Sequence, residues 1–377
     1  MDIQTVLFYL SVFILTLGLC ICFQDIIKKN KSEKKLWKNI LICAIISLPC
    51  LLVAGLRADS VGKDTAVYTE WFYDASSDSF RDYFDTIAED YLFSFFLFVF
   101  SHKEKEPIFF YLFVQACVMI PLLVIGIKHI ESISLWKVVS IYLFWHYNDS
   151  LNLSRQMVSI LWLILMSEFF FEKKYFLSIV SYLFAVGFHS SAIMVGLFIM
   201  LSCFLFYNYI GPYITVAITA VFFVFAQKAF IYFVDTGLFS SRYNLYVDTF
   251  IYQDTRVVDS WLSVGFGGIF EVLVRVLIIV FFLVNAPQII QNKTREKVFF
   301  YFFVLGTIIY ASGMIYFKTT YLVRISTYFD CFGIFLIPYL DSTQKNSIRF
   351  SLFFSFCYWV VHVLLLGQGG SFPYLIR

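Results

Sequence analysis

"PIFFYLFVQACVMIPLLVIGI", residues 107–127, runs for 21 residues without one charged side chain. A helix of that length covers about 30 Å, the thickness of a bilayer's hydrocarbon core. A helix closes most of its backbone hydrogen bonds internally, as a segment in lipid must. Comparable apolar runs recur along the whole chain. The expected spans are about 3–23, 39–56, 107–127, 136–151, 155–171, 174–188, 190–207, 212–232, 261–285, 298–317, 325–340 and 350–366. The predicted fold is therefore all-α: a polytopic helical integral membrane protein of about twelve transmembrane helices in one domain, 1–377, with large outer loops.

Composition supports this. Charged residues are 14% and mean hydropathy is +0.79, against roughly 25% charged in soluble domains. The apolar runs are continuous rather than alternating, which argues against a transmembrane barrel. A net charge of +2 offers no basis for a nucleic-acid partner. Eight cysteines (Cys20, Cys22, Cys43, Cys50, Cys117, Cys203, Cys331, Cys357) lie in or at the ends of apolar segments. Their spacing suggests neither disulfides nor zinc, and buried free thiols are expected. The first apolar run lacks a basic leader and a small-residue cleavage site, so it is expected to be retained.

Lysines orient the chain. Residues 28–38 hold six of them, which puts this connection on the cytoplasmic side. Residues 91–101 are apolar but too short to cross alone. If they dip in and return, the lysines near 128–137, 173–174, 293–297 and 345 also face inward. Residues 57–106 are then one external region with a re-entrant or interfacial element, and 233–260 is a second external loop. On this topology Arg57, Arg81, Arg155, Arg242, Arg256, Arg324 and Arg377 collect outside. Guanidinium forks suit phosphate or carboxylate. Lipid headgroups compete with an anionic substrate for any single one of them, but several on one side favour the substrate.

Several stretches carry chemistry. In "AGLRADSVGKDTAVYTEWF" (54–72) a glycine turn is expected to gather Arg57, Lys63 and Asp64 near a helix end; a solvated ion pair is the bland account. "LNLSRQMVSI" (151–160) places Arg155 and Gln156 at an outer helix start, where the dipole favours anions, with Asn152 or Ser154 as candidate cap. "VGFHSSAIMVG" (186–196) places His189 at an outer junction, as a proton acceptor for a sugar hydroxyl or a structural donor. Arg242, Tyr243, Tyr246, Tyr252 and Arg256 of the second loop mix donors with flat faces, as sugar-handling surfaces do; an interfacial aromatic belt competes. Within the membrane Glu271 and Arg275 are four apart in the favourable order, with Asp330 a further candidate partner. Arg324 and Tyr328 are one turn apart. No P-loop, dinucleotide fingerprint, H-E-x-x-H or G-x-S-x-G elbow occurs.

"GLRADSVGKDTAVY" (55–68), "EDYLF" (89–93), "NLSRQ" (152–156), "GFHSSA" (187–192) and "RISTY" (324–328) follow in one order. As an ordered set they resemble the EpsG family of Wzy-like integral membrane proteins of bacterial exopolysaccharide, capsule and O-antigen synthesis. Lys63-Asp64 stands where the family more often shows Gly-Thr-Asp-Tyr. The resemblance implies a glycosyltransferase that polymerises undecaprenyl-diphosphate-linked repeat units on the outer face of the bacterial inner membrane. It implies Arg57, Arg155 and Arg324 for the diphosphate, Arg242 as a loop clamp, and Gln156, Tyr243 and Tyr328 as further substrate contacts. Asp64 and His189 become candidates for acceptor activation. No metal or cofactor is needed, and a chain-length regulator and flippase are expected partners. A lipid-linked oligosaccharide transporter, a glycan ligase or acyltransferase, and a structural partner in a synthase complex remain as alternatives.

Overall fold

The computed structural model describes residues 2–32, 36–77, 79–87, 90–207, 265–285, 294–316, 320–343, 348–367 and 370–377. Among them the secondary structure is helical, apart from an isolated bridge between Arg57 and Ile376. The chain forms two compact units, Met1–Ile199 with Ile337–Arg377, and Met200–Leu336.

The first unit contains α1 (Ile3–Ser32), α2 (Leu36–Leu56), α3 (Thr65–Ser77), α4 (Phe80–Ile87), α5 (Tyr91–Ser101), α6 (Ile108–Lys128), α7 (Leu135–Trp145), α8 (Tyr147–Asn152), α9 (Ser154–Phe171) and α10 (Tyr175–Phe188). α11 (Ala192–Tyr207) begins in it. α2 packs on α1 and α6, and α9 packs on α6 and α10. The core lies where α6, α7 and α9 meet, with Leu122, Ile125, Val138, Leu143, Leu161 and Ile164 buried. α10 leaves Phe176, Ile179 and Leu183 exposed, a face suited to acyl chains rather than water. Several polar side chains inside the unit are bonded to one another, as burial favours. Gln115 Nε2 donates to the Tyr142 hydroxyl at 3.0 Å, which donates to Ser150 Oγ at 3.0 Å. Near the end of α9, Glu168 Oε2 lies 2.9 Å from His129 Nε2, just past α6.

The second unit holds α12 (Gly265–Asn285), α13 (Thr294–Ala311), α14 (Thr320–Asp330) and the start of α15 (Gly333–Thr343). Its buried charges are grouped, one guanidinium between two carboxyl groups. Arg275 lies 3.3 Å from Glu271 Oε2 and 3.1 Å from Asp330 Oδ2. The Tyr310 hydroxyl donates to Glu271, and its ring sits 4.1 Å from the guanidinium. The expected Glu271–Arg275 pair is present, and Asp330 is its third member. α16 (Ile348–Trp359) belongs to the first unit and packs on α7.

Several apolar helices suit an integral membrane protein. Among the described residues six are long and apolar enough to cross, or seven if the bent pair Leu322–Asp330 and Gly333–Leu340 is one span. These correspond to seven of the expected spans. The pieces at 136–151, 174–188, 190–207 and 350–366 form shorter apolar helices, as does Tyr91–Ser101. The first of them is broken at His146, so α7 has 11 residues, about 16 Å of helix. The expected span 212–232 lies outside the described residues. All eight cysteines are free thiols; five are buried, Cys43 and Cys357 are half-buried, and Cys22 is exposed.

Candidate functional site

The site is built where the end of α2, the loop before α3 and the starts of α5 and α9 come together in the first unit. α2 ends at Leu56, and the backbone at Arg57 pairs with Ile376. Gly62 has φ of +92° and donates its amide to Gly370 O at 2.8 Å. A Cβ there would stand 2.7 Å from Thr65 Oγ1 and 2.9 Å from Leu151 O, so the turn needs glycine for both its φ and its closeness to α8. The Asp64 amide then donates to Asn152 Oδ1 at 3.0 Å.

That contact corrects one expectation. Neither Asn152 nor Ser154 caps α9, whose N-cap position is Leu153 without a side-chain cap bond. Ser154 Oγ donates back to Ser150 O at 3.0 Å, and Asn152 reaches sideways to the start of α3. The polar residues before Arg155 thus join three elements instead of ending one helix.

Arg57 is 2% exposed. Nη1 donates to Ala54 O at 2.7 Å and Nε to Thr65 Oγ1 at 3.3 Å, while the guanidinium lies 4.0 Å over the Tyr111 ring. Nη2 is buried with no hydrogen-bond partner among the described residues. The expected cluster of Arg57 with Asp64 takes another form: Arg57 bonds Thr65, the next residue, and its close neighbours are tyrosines. Burial pulls its pKa below the ordinary arginine value, opposed by Tyr111, Tyr147, Tyr374 and Tyr68.

One turn after Asp64, Tyr68 faces the second arginine. Arg155 Nε donates to the Tyr68 hydroxyl at 3.4 Å. Its guanidinium lies 5.3 Å from the Tyr68 ring, 5.0 Å from Trp71 and 5.3 Å from Phe93. Arginine stacks on such faces where lysine would offer only a point charge. Arg155 Nη1 lies 2.5 Å from Asp90 Oδ2.

Asp90 is the residue that the sequence reading passed over. It is 4% exposed and immediately precedes α5. Besides Arg155, its Oδ2 lies 3.3 Å from His189 Nδ1, and its Oδ1 accepts the Ser190 amide at 2.8 Å. Burial alone would raise its pKa, but the His189 bond, the Arg155 charge and the Ser190 amide together hold it below the usual carboxylate value. An ionised carboxylate only accepts, so in this pair the His189 Nδ1–H donates to Asp90. Gly187 permits the approach, since a Cβ there would meet Leu92 at 2.5 Å. The sequence signal was the acidic start of "EDYLF", a carboxylate directly before an apolar helix too short to span.

The structure therefore brings Arg57, Asp64, Arg155 and His189 to elements that share Thr65, Tyr68 and Asp90 as links. Gln156, next along α9, is buried. Arg324 and Tyr328 belong to the second unit; despite their one-turn spacing, Arg324 is exposed and Tyr328 buried. Arg242 and Tyr243, with the loop 233–260, lie outside the described residues. No group of three or more metal-ligating side chains occurs among the described residues.

Compared with known proteins, residues 40–376 match the model of the EpsG family. No curated protein and no solved structure matches the chain.

Proposed function

Since the chain belongs to the EpsG family, a Wzy-like polymerase family, and so to the membrane proteins of polysaccharide biosynthesis, we propose that it polymerises undecaprenyl-diphosphate-linked repeat units on the outer face of the bacterial inner membrane. The observation that carries the proposal is Asp90, one buried carboxylate joining Arg155 to His189.

The chemistry follows from those positions. The acceptor hydroxyl attacks the anomeric carbon of the donor glycan. The bond from that carbon to the diphosphate oxygen breaks, and undecaprenyl diphosphate leaves with the electron pair. The transition state is oxocarbenium-like, as in glycosyl transfer generally. His189 Nε2 takes the hydroxyl proton, and Asp90 stabilises the imidazolium through Nδ1. Arg155 and the free Nη2 of Arg57 stabilise charge on the leaving diphosphate. Asp64 borders the acceptor side, and Arg324, Tyr328, Gln156, Arg242 and Tyr243 are proposed to contact the glycan or its lipid diphosphate. Residues 57–106 serve as one external region whose short helix α5 re-enters the membrane surface.

A transporter of the same lipid-linked unit is the weaker alternative, because the intramembrane Arg275 is engaged by Glu271 and Asp330 rather than presented to a cargo. One assay separates the readings. The protein is reconstituted in lipid with undecaprenyl-diphosphate-linked repeat units, and the products are sized on a gel. A ladder supports polymerisation; a single transfer to a different acceptor indicates a ligase. Unchanged single units under active conditions refute both.

A further inference from the structure

We infer that the segment Gly370–Arg377 is a working part of the Arg57 site, with Arg377 as a positioning residue for Arg57. This rests on the proposed role of Arg57 in receiving a diphosphate.

The segment is tied to the first loop at both ends. Gly370 O accepts the Gly62 amide at 2.8 Å. Further on, Leu375 O accepts the Ala58 amide at 2.8 Å, and the Arg377 amide donates to Leu56 O at 2.9 Å. These bonds flank Arg57 on both sides, so the backbone carrying this guanidinium is held by residues more than 300 positions away in sequence. Further ties fix the segment itself. The Tyr9 hydroxyl donates to Ser371 O at 2.8 Å, Asn148 Nδ2 to Ser371 Oγ at 3.0 Å, and the Tyr374 hydroxyl to Val53 O at 2.9 Å.

The side chain of Arg377 adds a second route to the same guanidinium. It bonds Asp59, lies 3.6 Å from Glu106 Oε2 and donates to Thr69 Oγ1 at 3.1 Å. Thr69 Oγ1 also lies 2.6 Å from Asp59 Oδ1 and 2.9 Å from the Tyr111 hydroxyl. Tyr111 in turn donates to Thr65 O at 3.0 Å. Its ring carries Arg57 at 4.0 Å, with Arg377 at 5.9 Å. Arg57 is therefore placed by a chain of contacts, Arg377–Thr69–Tyr111–Arg57. Loosening its first link lets the ring turn and swings Nη2 away from its position.

The test compares wild type, Arg377→Ala, Arg377→Lys and Thr69→Val in lipid. It measures initial polymerisation rates against donor concentration, together with thermal stabilisation by inorganic diphosphate. The expected result for Arg377→Ala is a KM for the donor raised about tenfold together with a smaller fall in kcat, since Arg57 both holds the bound diphosphate and stabilises its charge as it leaves. Diphosphate stabilisation falls in parallel, and Arg377→Lys recovers part of both. If Arg377→Ala fails to fold, Thr69→Val decides: it cuts the chain at an isosteric hydroxyl and should raise KM in the same direction. Wild-type KM and wild-type diphosphate response in the folded variants overturn the inference and leave the polymerase reading intact. A wild type that makes no ladder, yet loses diphosphate stabilisation on Arg377→Ala, refutes the polymerase reading and keeps this one.

Discussion

Asp90 Oδ2 lies 2.5 Å from Arg155 Nη1, across 65 residues of sequence and between two different helix starts. The same oxygen faces His189. One buried carboxylate therefore fixes the direction of a guanidinium and the tautomer of an imidazole. Removing its charge while keeping its shape should disable both. Asp90→Asn is expected to lower kcat about 10²–10⁴-fold, the range associated with a lost general base, with the variant still folded. Initial rates of ladder formation measure it; a loss below tenfold would show that Asp90 does not organise the base.

Arg155→Lys keeps the charge but removes the fork and the flat surface that Tyr68, Trp71 and Phe93 surround. Lysine cannot hold Asp90 and a phosphate oxygen with the same geometry. The expected outcome is at least a tenfold drop in kcat/KM, about 1.4 kcal/mol, read in the same assay. Activity equal to wild type would mean that charge alone suffices.

Asp90 also sets a pH dependence of stability. Its folded pKa is depressed, so its contribution is present above the unfolded value of about 3.9 and disappears as pH falls through the folded value. The Tm difference between wild type and Asp90→Asn should be full at about pH 6 and shrink below about pH 4. A difference that stays constant across that range would rule out an ionised Asp90 as its source.

Gly62→Ala tests the turn. Its positive φ costs a non-glycine residue about 1–2 kcal/mol, and the added methyl meets Thr65 and Leu151. A lower Tm accompanied by weaker diphosphate stabilisation is expected, because Thr65 is a partner of Arg57. An unchanged Tm would show that the loop relaxes freely.

In the second unit, Arg275→Leu leaves Glu271 and Asp330 buried without their cation. Breaking such a pair from one side costs about 3–5 kcal/mol. The measurement is the yield of monodisperse protein in detergent, expected to collapse. Recovery in the double variant Arg275→Leu with Asp330→Asn would identify the uncompensated carboxylate as the cause.

The helical membrane character was legible because it depends on long apolar runs, which are local. The arginine at the start of α9 and the histidine between α10 and α11 were legible because polar groups at such borders stand out. Asp90 was harder. Acidic residues at the edge of a loop are ordinary, and its importance comes from two donors 65 and 99 residues away. The length of α7 was misjudged for a related reason: hydropathy does not register a break such as the one at His146. Asn152 was read as a local cap because capping is a short-range rule, whereas its partner amide belongs to another element. In residues 370–377 only Arg377 stood out, as one of several outward arginines, because the ties of this segment to Leu56, Ala58 and Gly62 run through backbone groups that every sequence possesses.

α9 is 18 residues long, about 27 Å of helix, and it is pinned near both ends, by Arg155 to Asp90 and by Glu168 to His129. A helix held this way cannot lengthen and tilts only with its neighbours. It is slightly shorter than a typical hydrocarbon core of about 30 Å. The membrane must thin around it, or Arg155 must sit at the level of the outermost acyl carbons. Bilayer thickness then becomes a control on the site: short-chain lipids would raise it toward water, and long-chain lipids would draw it down among the tails.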